Sequence, residues 1–469
     1  MEEYFDSNPD PETQELVNRF EKMLQNNKHF FFDIDEFEEI IDYYLYKNDL
    51  KNAGLSIDYA LIQHPASASL LLKKAQLFVY SNKNEKALKI LKEVDHLGYS
   101  DYDLHLVKGN LYSQLEKYEK AIEEYSEAIH GSDDQDEIYS NIAFEYENLG
   151  KYDRAIEYLL KAIDCNPEND SALYELSFCY EITQQTEKAI DFLTAFLETQ
   201  PFSKAAWFNL GIAYSNMELF EKAIPAYDYA IAIDETFASA YFNKANCFAN
   251  LGEYSNAIET YLETSFYEEP ESITFYYVAE CYEKLEKFDA AIDYYKKAIN
   301  LDPEFADAWL GTAMAYDAME KSQIAIAYVK KAIKISPTIS DYWFILGDIQ
   351  IKLSRVEEGI EAYRKVIELE PEDPEIWIEL SVAYSELENF GKAAETLREG
   401  MKWHEGNPDF YYGLANFLFK AGKTQESYEF LEKALSMDYE GYRRMYNLYP
   451  DLKNNTAFAE IIESHKTKS

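Results

Sequence analysis

Residues 204–235 read KAAWFNLGIAYSNMELFEKAIPAYDYAIAIDE, and the period of this stretch decides the fold. At intervals of 34 residues from Ala223 lie Ala257, Ala291, Ala325, Gly359, Ala393 and Ser427 in one direction. In the other lie Ala189, Ala155, Ala121, Ala87 and Ala53. Every member of this column is small. A second column, twelve residues earlier, runs Ile41, Ala75, Gly109, Ala143, Ser177, Gly211, Ala245, Ala279, Ala313, Gly347, Ser381 and Ala415. Three residues after each comes a mostly aromatic column: Tyr44, Phe78, Tyr112, Tyr146, Tyr180, Tyr214, Phe248, Tyr282, Tyr316, Gln350, Tyr384 and Leu418.

Within each period, apolar residues fall at helical spacing, as in Ala223, Ile224, Tyr227, Ala230 and Ile231, so each repeat reads as two amphipathic helices. Small residues at fixed places are what tightly crossing helices need, with larger side chains interleaving to either side. Pro65, Pro167, Pro201, Pro303, Pro337 and Pro371 punctuate junctions between repeats, where a proline ends one helix and suits the start of the next. Gly150, Gly252 and Gly422 fall at the turn inside a repeat, where a positive φ is expected.

The pattern resembles the tetratricopeptide repeat family, most clearly over Trp207-Phe208-Asn209-Leu210-Gly211-Ile212-Ala213-Tyr214, with Ala223, Tyr227 and Ala230. Trp309, Trp343 and Trp377 stand where Trp207 does. The resemblance implies an all-α fold: a right-handed superhelical solenoid of antiparallel helix pairs, about twelve repeats over residues 34–441. Residues 1–33, with a helical stretch from Pro11 to Asn27, and residues 442–469 depart from the pattern and are expected to cap the array.

Composition narrows the function. With 44 Lys+Arg against 87 Asp+Glu, the net charge is −43, which repels nucleic acid and anionic membrane surfaces. Solubility is the plain explanation of this charge; a preference for basic partners is the functional one. Hydrophobic residues make up 47% of the chain, enough for a packed core. The start, Met1-Glu2-Glu3-Tyr4-Phe5-Asp6, has neither a basic nor an apolar segment, and no apolar run approaches a membrane span, so a cytoplasmic location is expected.

No phosphate-binding glycine loop, zinc-helix motif or nucleophile elbow occurs. The seven His are scattered, and no cofactor or metal is expected. Cys179, Cys247 and Cys281 share a repeat column with Ala213, Ala315 and Ala383, a place for small buried groups. The expectation is a non-enzyme.

What the resemblance implies instead is a binding surface on the first helices of successive repeats. The residue following each Trp207 equivalent is expected at the groove, giving Tyr174, Phe208, Phe242 and Tyr276 in succession. Packing of these rings between helices is the competing reading. Asn141, Asn209 and Asn243 follow one residue later, with Asn110, Asn246 and Asn416 a turn away, as amides able to bond a peptide backbone. The expected site is therefore Asn141, Tyr174, Phe208, Asn209, Phe242, Asn243, Asn246 and Tyr276. Asn110 and Asn141 also resemble half of the carboxylate clamp of heat-shock co-chaperones, but Ser171 and Glu175 stand where that clamp needs basic residues. The expected partner is an apolar protein or peptide segment, and a basic one if the acidic surface is functional. Self-association, a regulatory role, or a co-chaperone-like module without the clamp are the alternatives.

Overall fold

Each 34-residue period folds into two antiparallel helices joined by a tight turn, as in Lys204–Asn216 and Phe220–Ile233. The computed structural model describes residues 11–26, 30–131 and 135–466, and among these it contains helices and no strand. Twelve such hairpins run from Ile34–Tyr46 with Leu50–Gln63 to Pro408–Lys420 with Thr424–Met437. The fold is an all-α array of antiparallel helix pairs. Its contacts divide into two units, Met1–Glu235 and Thr236–Ser469. In the first, helix Pro11–Asn26 precedes six hairpins; in the second, six hairpins precede the short helix Tyr442–Leu448 and helix Thr456–Lys466. The expected terminal caps include residues 1–10, 27–29 and 467–469, which lie outside the described residues.

The turn inside every repeat has one geometry. Its central residue takes positive φ in all twelve, and only three of them are the glycines singled out above. Asn48, Asn82, Glu116, Gln184, Glu218, Glu286, Glu320, Ser354 and Glu388 adopt the same left-handed conformation at φ 54–60°. The reason is local bonding. The residue after each turn donates its N–H to a carbonyl five residues earlier, as in Leu219 to Tyr214 (2.9 Å) and Lys287 to Tyr282 (2.9 Å). This closes the end of the first helix and satisfies carbonyls that would otherwise be orphaned. The acceptor belongs to the aromatic column, but the bond uses only its backbone, so Gln350 and Leu418 serve equally well.

The small columns are buried as helix contact requires. Ala53, Ala87, Ala121, Ala155, Ala223, Ala257, Ala291, Ala325 and Ala393 are wholly inaccessible. Glycines of the second column face a tyrosine of their own second helix: a Cβ on Gly109 would lie 2.4 Å from the Tyr125 ring, on Gly211 2.5 Å from Tyr227, and on Gly347 2.3 Å from Tyr363. At Leu91, Leu159, Val329 and Leu431 of the second helices the facing residue is alanine, and at Leu193 and Leu397 it is serine. Ring with glycine and branched aliphatic with alanine fill comparable volume, as close-packed interiors demand. Tyr295 faces Ala279 and takes its relief elsewhere: a Cβ on Gly311 of the following repeat would lie 2.4 Å from its ring.

Junction prolines and the repeat tryptophans are linked directly. The indole N–H of Trp207, Trp309, Trp343 and Trp377 donates to the carbonyl of Pro201, Pro303, Pro337 and Pro371, at 2.9–3.0 Å. A large ring can thus be half buried at the junction with its one polar atom satisfied. In the first unit, Val17, Phe20 and Met23 of helix Pro11–Asn26 join Phe37, Ile40 and Ile41 in one core, and Arg19 lies 4.4 Å over Phe32. In the second, Phe458 and Ile462 of the last helix join the core of the final hairpins with Phe417, Leu431 and Tyr449.

Candidate partner-binding face

The aromatic column expected at the groove is mostly mortar between helices. In the first unit, Tyr174 is half buried and meets Phe208 edge-on at 6.2 Å, and Phe208 leans on Tyr227 at 5.9 Å. Phe208 is only 8% exposed and Asn209 only 2%. Both were expected at the surface, and burial removes them as contact residues. The physical reason is the glycine of the second column: with Gly211 small, Tyr227 reaches under the first helix and draws Phe208 in beside it. In the second unit, Phe242 stands edge-on to Tyr261 and Tyr277, and Tyr276 contacts Tyr277, Tyr295 and Phe305 within 5.6 Å. The Tyr276 hydroxyl donates to Glu280 Oε1 at 2.9 Å. These rings are half buried, as is Asn243.

The amides fare differently. Asn141 lines a hollow of about 400 Å³ in the first unit together with Leu72, Lys73, Gln76, Leu106 and Asn110. Tyr125 donates its hydroxyl proton to Asn110 Oδ1 at 2.7 Å, and Tyr261 does the same to Asn246. The carbonyl side of each amide is therefore engaged within its own repeat. Lys73 is ion-paired with Asp42 at 2.6 Å, and burial raises the Asp103 carboxyl on the same wall. Asn246 lines a smaller hollow of about 240 Å³ in the second unit, with Tyr254, Tyr261, Tyr277, Glu280 and Lys284. Asn416 is fully buried, and neither of its side-chain polar atoms has a hydrogen-bond partner.

Exposed apolar side chains occupy a column that the sequence reading passed over. Phe144 and Phe178 hold the place that Asn110 and Asn246 hold in other repeats, and they are 54% and 46% exposed. Ile182, one turn beyond Phe178, is 49% exposed. Tyr152 supports Phe178 edge-on at 6.3 Å. The signal was available: directly after the small column, a large apolar residue replaces an amide at three successive repeats, Phe144, Phe178 and Ile212. Beside them, the Glu147 and Glu175 carboxyls meet across neighbouring hairpins, and Cys179 Sγ lies 3.5 Å from Glu147 Oε1. Burial first, and then the repulsion of Glu175, push Glu147 from its ordinary value up to about 7.

Among the described residues, no group of three or more His, Cys, Asp or Glu is arranged to hold a metal ion. Cys179, Cys247 and Cys281 are buried, and burial pushes the Cys281 thiol up to about 11. None of the helices described is long and apolar enough to cross a membrane.

Tetratricopeptide repeat models match residues 137–169, 205–237 and 272–305, residues 158–191, and residues 238–263, 306–339, 340–373 and 408–440. A further TPR repeat model matches residues 109–150, and together the matches span more than half of the chain. The chain belongs to the tetratricopeptide repeat family. No curated protein matches it. Among solved structures, this tetratricopeptide array is similar to MamA at 22% identity, over 34% of this chain and 94% of that one, with a TM-score of 0.33. It is similar to YrrB, described as a TPR protein with an unusual peptide-binding site, at 20% identity over 38% and 92%, TM-score 0.33. Similarity to the APC/C hetero-tetramer Cut9–Hcn1 is 15% identity over 87% and 94%, TM-score 0.39.

Proposed function

We propose that this tetratricopeptide array is a non-catalytic scaffold that holds a segment of a partner protein along the first helices of its repeats. The observation that carries the proposal is the exposed strip Phe144, Phe178 and Ile182 on first helices of the first unit, in the same unit as the polar hollow at Asn110 and Asn141. Adjacent solvent-facing aromatics on a rigid helical wall suit apolar anchors, and uncommitted amide N–H groups suit a peptide backbone. Tyr174 belongs to the same unit as this strip, and Phe242, Asn243, Asn246 and Tyr276 offer a comparable face in the second unit. The acidic balance favours a partner segment with basic residues and disfavours nucleic acid.

The test is photocrosslinking in native extract, with p-benzoylphenylalanine placed at 144, at 178, or at Ala195 on the second helix Thr186–Thr199. Adducts from 144 and 178 that are missing from 195 support a first-helix site. Adducts only from 195 refute it in favour of the opposite face. Light scattering over a concentration series tests self-association on the same material.

A further inference from the structure

The exposed strip of the first unit carries more than an apolar surface, and its chemistry narrows the occupant. Phe144 belongs to helix Gln135–Asn148, and Phe178 and Ile182 to helix Asp170–Ile182. Glu147 lies one turn beyond Phe144, and Glu175 one turn before Phe178. Their carboxyls approach each other, one hydrogen-bonding the other, in the gap between the two hairpins. Among the described residues, neither has an ion-pair partner; the one further contact is the Cys179 thiol on Glu147. Glu147 is half buried and Glu175 beside it is exposed, and a half-buried carboxylate with a second one next to it and no cation is an arrangement that a positive charge relieves. Flanking aromatic rings add to this, because they cover the aliphatic stem of a long cationic side chain and attract its head.

We propose that the face formed by Phe144, Phe178 and Ile182 docks a partner segment in which a lysine or arginine sits among apolar residues, its cation received between Glu147 and Glu175. The inference rests on the scaffold reading above and names the partner chemistry at that site. Charge complementarity selects this occupant over an acidic or purely apolar one. The elevated proton affinity of Glu147 agrees with the arrangement, since a bound cation favours the ionised form that burial and Glu175 disfavour.

The test uses the full chain with methyl-labelled isoleucine and two probes, acetyl-Phe-Arg-Leu-amide and its citrulline counterpart, which keeps the shape and removes the charge. The Ile182 methyl signal is expected to shift with the arginine probe at about tenfold lower concentration than with the citrulline probe. Glu147→Gln with Glu175→Gln should erase that difference, while Phe144→Ala with Phe178→Ala should weaken both probes. Equal response to the two probes in the wild type would overturn the cation receptor and leave the docking face standing. Silence of Ile182 toward both would overturn the receptor and the docking face together. Circular dichroism of each variant distinguishes lost binding from lost fold.

Discussion

Gly211 and Tyr227 show how little freedom a single position has in this array. A methyl group on Gly211 would meet the tyrosine ring at 2.5 Å, so Gly211→Ala should cost about 1–3 kcal/mol on thermal or urea unfolding. Tyr227→Leu in the same chain should recover most of that loss, because leucine facing alanine is the combination other repeats already use. A double mutant as unstable as the two single mutants added together would contradict the pairing. Glu147 makes a second prediction at this scale. Its folded value is about 7 against an ordinary 4.5, so between these the native state binds more protons than the unfolded chain. Stability must then fall as pH rises through that window, the reverse of the usual salt-bridged carboxylate. Asp103, Glu145, Asp170, Glu280, Asp348 and Glu379 are raised by burial in the same direction. The melting temperature should be higher near about pH 5.5 than near about pH 8, and Glu147→Gln should narrow the gap.

At the level of the helix pair, the hairpin survives variation because its constraints are few and local. A left-handed turn residue, a small residue at each crossing, and a backbone bond closing the first helix are enough. Ala291→Trp attacks the crossing, where the alanine is wholly buried, and should destabilise by about 1–3 kcal/mol or more, visible as a lowered melting temperature. These constraints explain why the fold was legible in the sequence. The small columns and their period are direct records of helix contact, and three of the twelve turns carry glycine to mark the break. The face was less legible. Phe208 and Asn209 carry residue types suited to recognition, yet Gly211 opposite Tyr227 turns that place into interior. Phe144 and Phe178 carry types suited to a core, yet they are exposed, while Asn416 in the same column is fully buried. Burial at a half-covered helix face depends on the size of neighbours across the contact, which spacing along one helix does not report. The clamp reading has a consequence here too. With Ser171 and Glu175 where basic residues would be needed, a peptide ending in acidic residues and a free carboxylate should show no heat of binding in titration calorimetry. Tight binding would contradict the geometry.

For the whole chain, charge governs behaviour in solution. A net charge of −43 on 469 residues means self-repulsion that counter-ions screen. Raising sodium chloride from about 20 mM to about 200 mM should therefore raise the melting temperature while weakening capture of any basic partner. A partner retained equally at both concentrations would point to apolar contacts as the main source of affinity.

The fit of ring to gap has a bearing on how such arrays can be rearranged. Tyr125 with Gly109, Tyr227 with Gly211 and Tyr363 with Gly347 each lie inside one module, so copying, deleting or transplanting a whole module keeps each ring with its gap. Tyr295 instead borrows its room from Gly311 across a module border. A splice at that border separates the ring from its gap, and so does one between Phe390–Gly400 and Pro408–Lys420, where Gly400 meets Phe410 and Gly413 meets Leu397.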